Sequence, residues 1–292
     1  MKILVTGADG QLGKSLRKEV FNEKDLRELE FTFAGKSVLN LNDNNQIKNF
    51  FNKNNYNLVV NCAAYTYVDL AEENKKDANQ INHNAVKCLA EICFQKKMTL
   101  IHISTDYVFD GNKNNPYIET DTTNPINFYG KTKLDGEKAI QKIMPKNGII
   151  IRTSWLYSEF GNNFVNTMLK LGKQKDEVQV VSDQIGSPTY ASDLAMALIK
   201  IINKNKTFED GFLTSLYHFS NIGEVSWYEF AKEIYKIKKY TCQVNPINSN
   251  EYPTKANRPT NTSLNISTIK EQFDIKDLFW KDSLTRHLNN LN

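Results

Sequence analysis

The chain has 292 residues, 40% of them apolar, and 37 Lys and Arg against 33 Asp and Glu, for a formal charge of +4. This suits one large domain or two intimately joined ones. Lysines interleaved with acids exclude a nucleic-acid surface, and no stretch approaches the ~20 apolar residues of a membrane span.

Short β-branched runs alternate with helical patterns. Ile3 to Val5 reads as a strand, too short for the core of a signal peptide, and Gly10 to Phe21 as a helix. Phe31 to Ala34 (strand), Asn44 to Asn54 (helix), Leu58 to Asn61 (strand) and a long helix around Asp77 to Gln95 follow. Thr99 to Ser104 (strand), Tyr129 to Ile143 (helix) and Gly148 to Thr153 (strand) complete the series. Continuous apolar strands such as Leu58-Val59-Val60 imply burial on both faces. The alternation predicts an α/β fold, a doubly wound, Rossmann-like parallel sheet.

Beyond Thr153 the rhythm loosens. Strands are expected at Val178 to Val181 and Tyr217 to Phe219, a helix at Ala191 to Asn203, an amphipathic surface helix at Ser226 to Lys239, and an exposed loop at Lys204 to Asp210. Pro188, Pro246, Pro253 and Pro259 mark turns. The expected division is a dinucleotide-binding domain of residues 1–153 plus about 188–216, and a smaller mixed α/β substrate lobe of 154–187 and 217–292.

The first strand runs into Gly7-Ala8-Asp9-Gly10-Gln11-Leu12-Gly13. Glycines between a strand and a helix let the backbone turn tightly and approach a pyrophosphate, which the helix N-terminus then meets with free N–H groups. The alternative is an ordinary glycine-rich turn; the strand–turn–helix setting favours a dinucleotide. At the end of the second strand, Phe33-Ala34-Gly35-Lys36-Ser37 lacks the acid that would bond a ribose 2′-hydroxyl, and Lys36 with Ser37 suits a 2′-phosphate. The expected cofactor is therefore NADPH, with NADH as the second choice and Lys36 as a plain turn lysine on that view. Small residues at the end of the third strand, Ala63-Ala64-Tyr65-Thr66, suit a cofactor lying across it. Asn82 either ties strand ends together or lies on the surface.

Tyr129 and Lys133 stand four residues apart, about one helical turn, so phenol and ammonium share a helix face. A cation beside a phenol lowers its pKa, and a phenol so tuned passes protons to or from a substrate oxygen. With 13 Tyr and 32 Lys in the chain, chance alone supplies roughly one or two such pairs. Tyr228/Lys232 and Tyr235/Lys239 share the spacing. Tyr129 is distinguished by following Ser104-Thr105-Asp106 at the end of a strand.

The four cysteines, Cys62, Cys88, Cys93 and Cys242, form no C-x-x-C pair, and the four histidines are scattered, so no metal site is expected. Unpaired thiols suit the cytosol.

Ser104 to Gly111, Tyr129 to Lys133 and Arg152 to Tyr157 resemble the extended short-chain dehydrogenase/reductases that act on nucleotide sugars. Gly161 to Val165, Asp183 to Thr189 and Arg258-Pro259 extend the resemblance along the chain. It implies reduction of the C4 ketone of dTDP-4-dehydro-6-deoxy-L-mannose by NADPH in the cytoplasm. On this resemblance Tyr129 is the general acid, Lys133 tunes it and bonds the nicotinamide ribose, and Thr105 bonds the carbonyl oxygen. Asp106 contacts the sugar and Trp155 flanks the thymine. Gly10, Gln11 and Leu12 cradle the pyrophosphate, and Ala64, Tyr65 and Thr66 line the cleft.

Three positions depart from the family. Asn40 replaces an Asp near the adenine. Ser15 and Ser192 stand where some members bind Mg²⁺ between subunits, so a homodimer here would not be metal-bridged. Two rival readings share the fold. A sugar-nucleotide dehydratase needs a second acid where Tyr107 stands, and dehydratases and epimerases alike retain NAD tightly, against which the absent acid after the second strand argues. A non-catalytic regulatory subunit, like that of methionine adenosyltransferase, resembles the Ser104 region but does not require the intact Thr105, Tyr129 and Lys133.

Overall fold

The computed structural model describes residues 1–23, 26, 28–205 and 212–291. Its first half alternates as expected: β1 (Lys2–Thr6), α1 (Gln11–Asn22), β2 (Glu30–Ala34), α2 (Asn44–Lys53), β3 (Leu58–Asn61), α3 (Val68–Ala71), α4 (Lys75–Asn79), α5 (Ala85–Gln95), β4 (Thr99–Thr105), α6 (Phe128–Ile143) and β5 (Gly148–Thr153). A π-helical segment, Gln80–Asn84, joins α4 to α5, so the long helix foreseen at Asp77 to Gln95 is interrupted in the middle.

The second half contains β6 (Leu156–Tyr157), α7 (Phe164–Gln174), β7 (Glu177–Val181), β8 (Ile185–Gly186), β9 (Thr189–Tyr190), α8 (Ala191–Asn205), β10 (Ser215–Phe219), β11 (Val225–Ser226), α9 (Trp227–Lys238), β12 (Gln243–Ile247), α10 (Ser267–Phe273) and α11 (Trp280–Asn289). Of the loop expected at Lys204 to Asp210, Lys204 and Asn205 close α8, and the remainder lies outside the described residues.

The main sheet is six-stranded and parallel, in the order β2-β1-β3-β4-β5-β10. Alternate residues of each central strand serve opposite faces, as the pleat requires. Ile3, Val5, Leu58, Val60, Ile101, Ile149 and Ile151 face one core with Leu12 and Leu16 of α1 and Leu194, Leu198 and Ile201 of α8. Leu4, Val59, Leu100 and Ile150 face the other with Ile47, Phe51, Val86 and Leu89. Burial on both faces explains the unbroken apolar runs.

Two expectations are corrected. Tyr217 to Phe219 was assigned to the smaller lobe, yet β10 pairs with β5 and closes the main sheet; Ile269 and Phe273 of α10 pack on the same core. Burial of Tyr217 and Phe219 against α8 and α10 supplies the reason. Pro246, expected in a turn, lies inside β12 opposite Val180 of β7. This ribbon has only two strands, so β12 keeps a free edge where a missing N–H costs nothing. The smaller lobe has its own core of Tyr157, Val165, Met168, Phe230, Ile234, Trp280 and Leu284. Among the described residues no helix is long and apolar enough to cross a membrane.

Candidate active site

The chain crosses from β1 to β2 on one side and to β3 on the other, so the crevice beyond the carboxyl ends of β1 and β3 is a topological switch point. Gly7 occupies it. Its φ is +64°, and a Cβ there would stand 2.5 Å from the Ala63 nitrogen, so both backbone shape and space require glycine. Gly13 likewise packs against the carbonyl oxygen of Gly7.

Gly10 is the N-cap of α1, with extended backbone and no side-chain cap. The first-turn N–H groups of a helix have no intrahelical partners. They, and the positive end of the helix dipole, fit a pyrophosphate. Leu12 is buried, so it offers the cofactor its backbone alone. The side chain of Gln11 is committed elsewhere: its Oε1 accepts from Ser158 Oγ at 3.0 Å and Asn163 Nδ2 at 2.9 Å.

Lys36 and Ser37 are exposed beyond β2. Asn40 Oδ1 accepts from the Asn42 backbone at 3.1 Å, leaving a second lone pair free to meet an adenine. Ala64 and Tyr65 are half-buried and Thr66 is exposed along the loop after β3. Asn82 is buried and holds that loop. Its Oδ1 accepts from Tyr65 N at 2.8 Å, and its Nδ2 donates to Tyr65 O at 3.0 Å and to Thr132 Oγ1 at 3.1 Å. The π-helical bulge turns Asn82 inward, which settles its role as a tie.

The catalytic candidates meet at the end of β4. Asn127 caps α6 by accepting from Gly130 N at 2.8 Å, which places Tyr129 in the first turn. Gly130 lets the helix press against the 3₁₀ turn Asp106–Val108; a Cβ there would overlap the Tyr107 carbonyl oxygen. Tyr129 consequently faces the Thr105 hydroxyl and meets the Tyr107 ring edge-on at 5.9 Å. Thr105 Oγ1 donates to Asp106 Oδ1 at 2.9 Å and accepts from Tyr107 N at 3.2 Å. Asp106 Oδ2 is buried with no hydrogen-bond partner.

Burial governs the electrostatics. It raises Tyr129 to about 12, against a lowering by the Thr105 hydroxyl, with the Asp106 carboxylate adding a smaller rise. Lys133 was expected to lower this phenol, but its ammonium donates instead to Ile103 O at 2.6 Å and lies 3.4 Å from His102 Nε2. Burial lowers Lys133 to about 8, opposed by the Glu137 carboxylate. Asp106 is raised to about 6 by burial, against the lowering effect of the nearby Thr262 and Thr105 hydroxyls.

A second buried pair lies one turn beyond Lys133. Arg152 grips Glu137 at 2.7 Å and 3.0 Å, and Ser104 Oγ donates to the same carboxylate at 2.5 Å. Sequence reading did not find this pair, nor Thr262 facing Asp106, nor the Arg258–Asp69 ion pair at 2.6 Å that spans the rim. The Arg258-Pro259 motif was the only signal for the last.

Trp155 follows the end of β5, whose Thr153 pairs with Thr105. Its φ of +46° is rare for a bulky residue. One face stacks on Trp227 at 3.4 Å and the indole also packs against Gly186, so Trp155 has little open face for a base. The decoy pairs lie in the smaller lobe: Lys232 covers the Tyr228 ring, and Lys239 is the left-handed C-cap of α9. Among the described residues no group of three or more His, Cys, Asp or Glu could hold a metal, and Ser15 and Ser192 are buried.

A doubly wound sheet with a glycine turn at its switch point, and a Thr, Tyr and Lys beyond its fourth strand, defines an oxidoreductase of the extended short-chain dehydrogenase/reductase class. The RmlD substrate binding domain model matches residues 1–292, and the chain belongs to that family. A dTDP-4-dehydrorhamnose reductase of Aggregatibacter actinomycetemcomitans is 40% identical over 292 residues, 97% of each chain. The crystal structure of a dTDP-4-dehydrorhamnose reductase from Clostridium acetobutylicum superposes with a TM-score of 0.91 at 38% identity, covering 100% of this chain and 99% of that one. That of a Bacillus anthracis dTDP-4-dehydrorhamnose reductase in complex with NADP gives 0.90 at 34% identity over 99% of each.

Proposed function

We propose that the protein reduces the C4 ketone of dTDP-4-dehydro-6-deoxy-L-mannose to give dTDP-L-rhamnose, using NADPH. The observation that carries this reading is the meeting of Tyr129 and Thr105 at the end of the fourth strand, with Thr105 bonded to Asp106 and Lys133 on the same helix as Tyr129. The relatives' names supply the substrate. The turn from Gly7 to Gly13, with Lys36, Ser37, Asn40, Ala64, Tyr65 and Thr66, would hold the dinucleotide, and when bound it supplies the hydride for C4.

The chain's own residues handle the oxygen. A ketone oxygen gains charge as C4 is reduced, so donors aimed at it favour the transition state over the ground state. Tyr129, with a pKa of about 12, is neutral at working pH and carries the proton that a general acid must give. Thr105 is the second donor. Its single hydrogen points at Asp106 here and turns to the ketone when the sugar displaces that contact. Lys133, held at the end of the fourth strand by Ile103 O, would bond the nicotinamide ribose.

Asp106 would bond a sugar hydroxyl through its unpartnered Oδ2, and the exposed edge of Trp155 would border the thymine. The six-stranded sheet and its helices, β10 included, would serve the dinucleotide, and the smaller lobe the sugar. Any homodimer forms without a bridging metal, and the enzyme works in the cytoplasm.

The test is loss of NADPH absorbance with this sugar nucleotide, with the product identified by NMR. Turnover to the L-rhamno product is expected. Firm NADPH binding without turnover would overturn the assignment in favour of a regulatory subunit.

A further inference from the structure

The end of β2 holds no acid in sequence, but it holds one in space. The turn after β1 is drawn against this strand end by Ala8 N–H donating to Ala34 O at 3.2 Å. Asp9, the next residue, lays its carboxylate directly on Gly35. A Cβ built on Gly35 would fall inside that carboxylate, so only glycine admits the contact. Two cations share the neighbourhood: Lys36 is exposed, and the Arg17 guanidinium lies 4.9 Å from the centre of the Phe33 ring.

In dinucleotide sites of this architecture, the place beyond the second strand is where the adenosine ribose lies. A carboxylate there accepts from the ribose 2′-hydroxyl and repels a 2′-phosphate. We propose that Asp9, reaching across Gly35 from the glycine turn, takes the part of the missing strand-end acid and sets the balance between NADH and NADPH. The inference rests on the dinucleotide reading above and refines it. Lys36 and Arg17 draw a 2′-phosphate in while Asp9 opposes it, so Asp9 is the residue through which the two cofactors are weighed against each other.

The physical scale is modest. Asp9 is exposed, and one like charge at a few ångströms from a phosphate in such a setting is worth about a tenfold change in affinity. A hydrogen bond between the carboxylate and a 2′-hydroxyl works in the opposite sense for the unphosphorylated cofactor. The residue is thus expected to move the two affinities in opposite directions, which a merely structural change would not do.

The experiment is calorimetric binding of ADP-ribose and 2′-phospho-ADP-ribose to the full chain and to Asp9→Asn. These fragments carry the ribose in question without the reacting ring, so the readout is independent of catalysis. The wild type is expected to bind both within about tenfold of each other. Asp9→Asn should bind the phosphorylated fragment about tenfold more tightly and ADP-ribose several-fold more weakly. A ratio of affinities unchanged by the substitution overturns the proposal while leaving the reductase reading intact. Failure of the wild type to bind either fragment would sink the dinucleotide reading, and this inference with it.

Discussion

Nζ of Lys133 lies 3.4 Å from Nε2 of His102, a histidine buried beneath the sheet's carboxyl end. Burial and the Lys133 charge hold His102 well below its usual pKa, so the ring is neutral. The Asn61 side-chain nitrogen has only hydrogens to offer, so His102 Nδ1 accepts from it at 3.0 Å. Asn61 in turn reaches the Thr6 hydroxyl at 2.6 Å, immediately before Gly7. A polar file therefore connects the glycine turn after β1 with Lys133.

Burial lowers Lys133 to about 8, and the Glu137 carboxylate one turn away supports its charged form. As pH rises through that value the ammonium is lost, and kcat/KM is expected to fall. Glu137→Gln removes the carboxylate, which should move this alkaline limb to lower pH by about one unit. A limb that stays in place in the variant would remove Glu137 from the tuning of Lys133.

Tyr129→Phe keeps the ring against Tyr107 and deletes the proton. Turnover should drop at least ~10²-fold with little change in the NADPH dissociation constant. Single-turnover rates and fluorescence titration separate the two quantities. Near-normal turnover would exclude Tyr129 as the acid.

The Glu137–Arg152 pair is almost fully buried. Removing one partner strands a charge, and Arg152→Leu is expected to cost about 3–5 kcal/mol in urea unfolding. Replacing both residues with apolar ones should recover a good part of that loss. Equal losses for the single and double variants would contradict the pairing argument.

Asp106 has a folded pKa of about 6, above the ~3.9 of an unfolded chain. The protonated form is thus favoured by folding. Its stability contribution is complete below about pH 4 and is lost as pH rises to about 6. The stability of Asp106→Asn minus that of the wild type should therefore grow by up to ~3 kcal/mol across this window and then level off. A difference independent of pH would mean that Asp106 is not held in its acid form.

The strands of the main sheet were readable because burial on both faces leaves unbroken runs such as Ile149-Ile150-Ile151. Gly7 and Gly10 were readable because a tight turn leaves few alternatives to glycine. Local spacing could not reveal the partners of Lys133. It points to a phenol one turn away, whereas the ammonium is held by Ile103 and lies beside His102, both from a neighbouring strand. Tertiary contacts of that kind have no local signature. Asp9 and Gly35 are 26 positions apart and meet only because β1 and β2 are adjacent. Pro246 misled because its usual meaning is a turn, and an edge strand tolerates it equally well.

The shared amide of Gln11 carries a kinetic consequence. One oxygen, at the mouth of the phosphate cradle, anchors both Ser158 and Asn163 of the smaller lobe. Whatever settles in the cradle therefore also bears on that passage of the smaller lobe. If the proposed function holds, such wiring favours a fixed order of addition, dinucleotide first and sugar second, with product inhibition patterns as its signature.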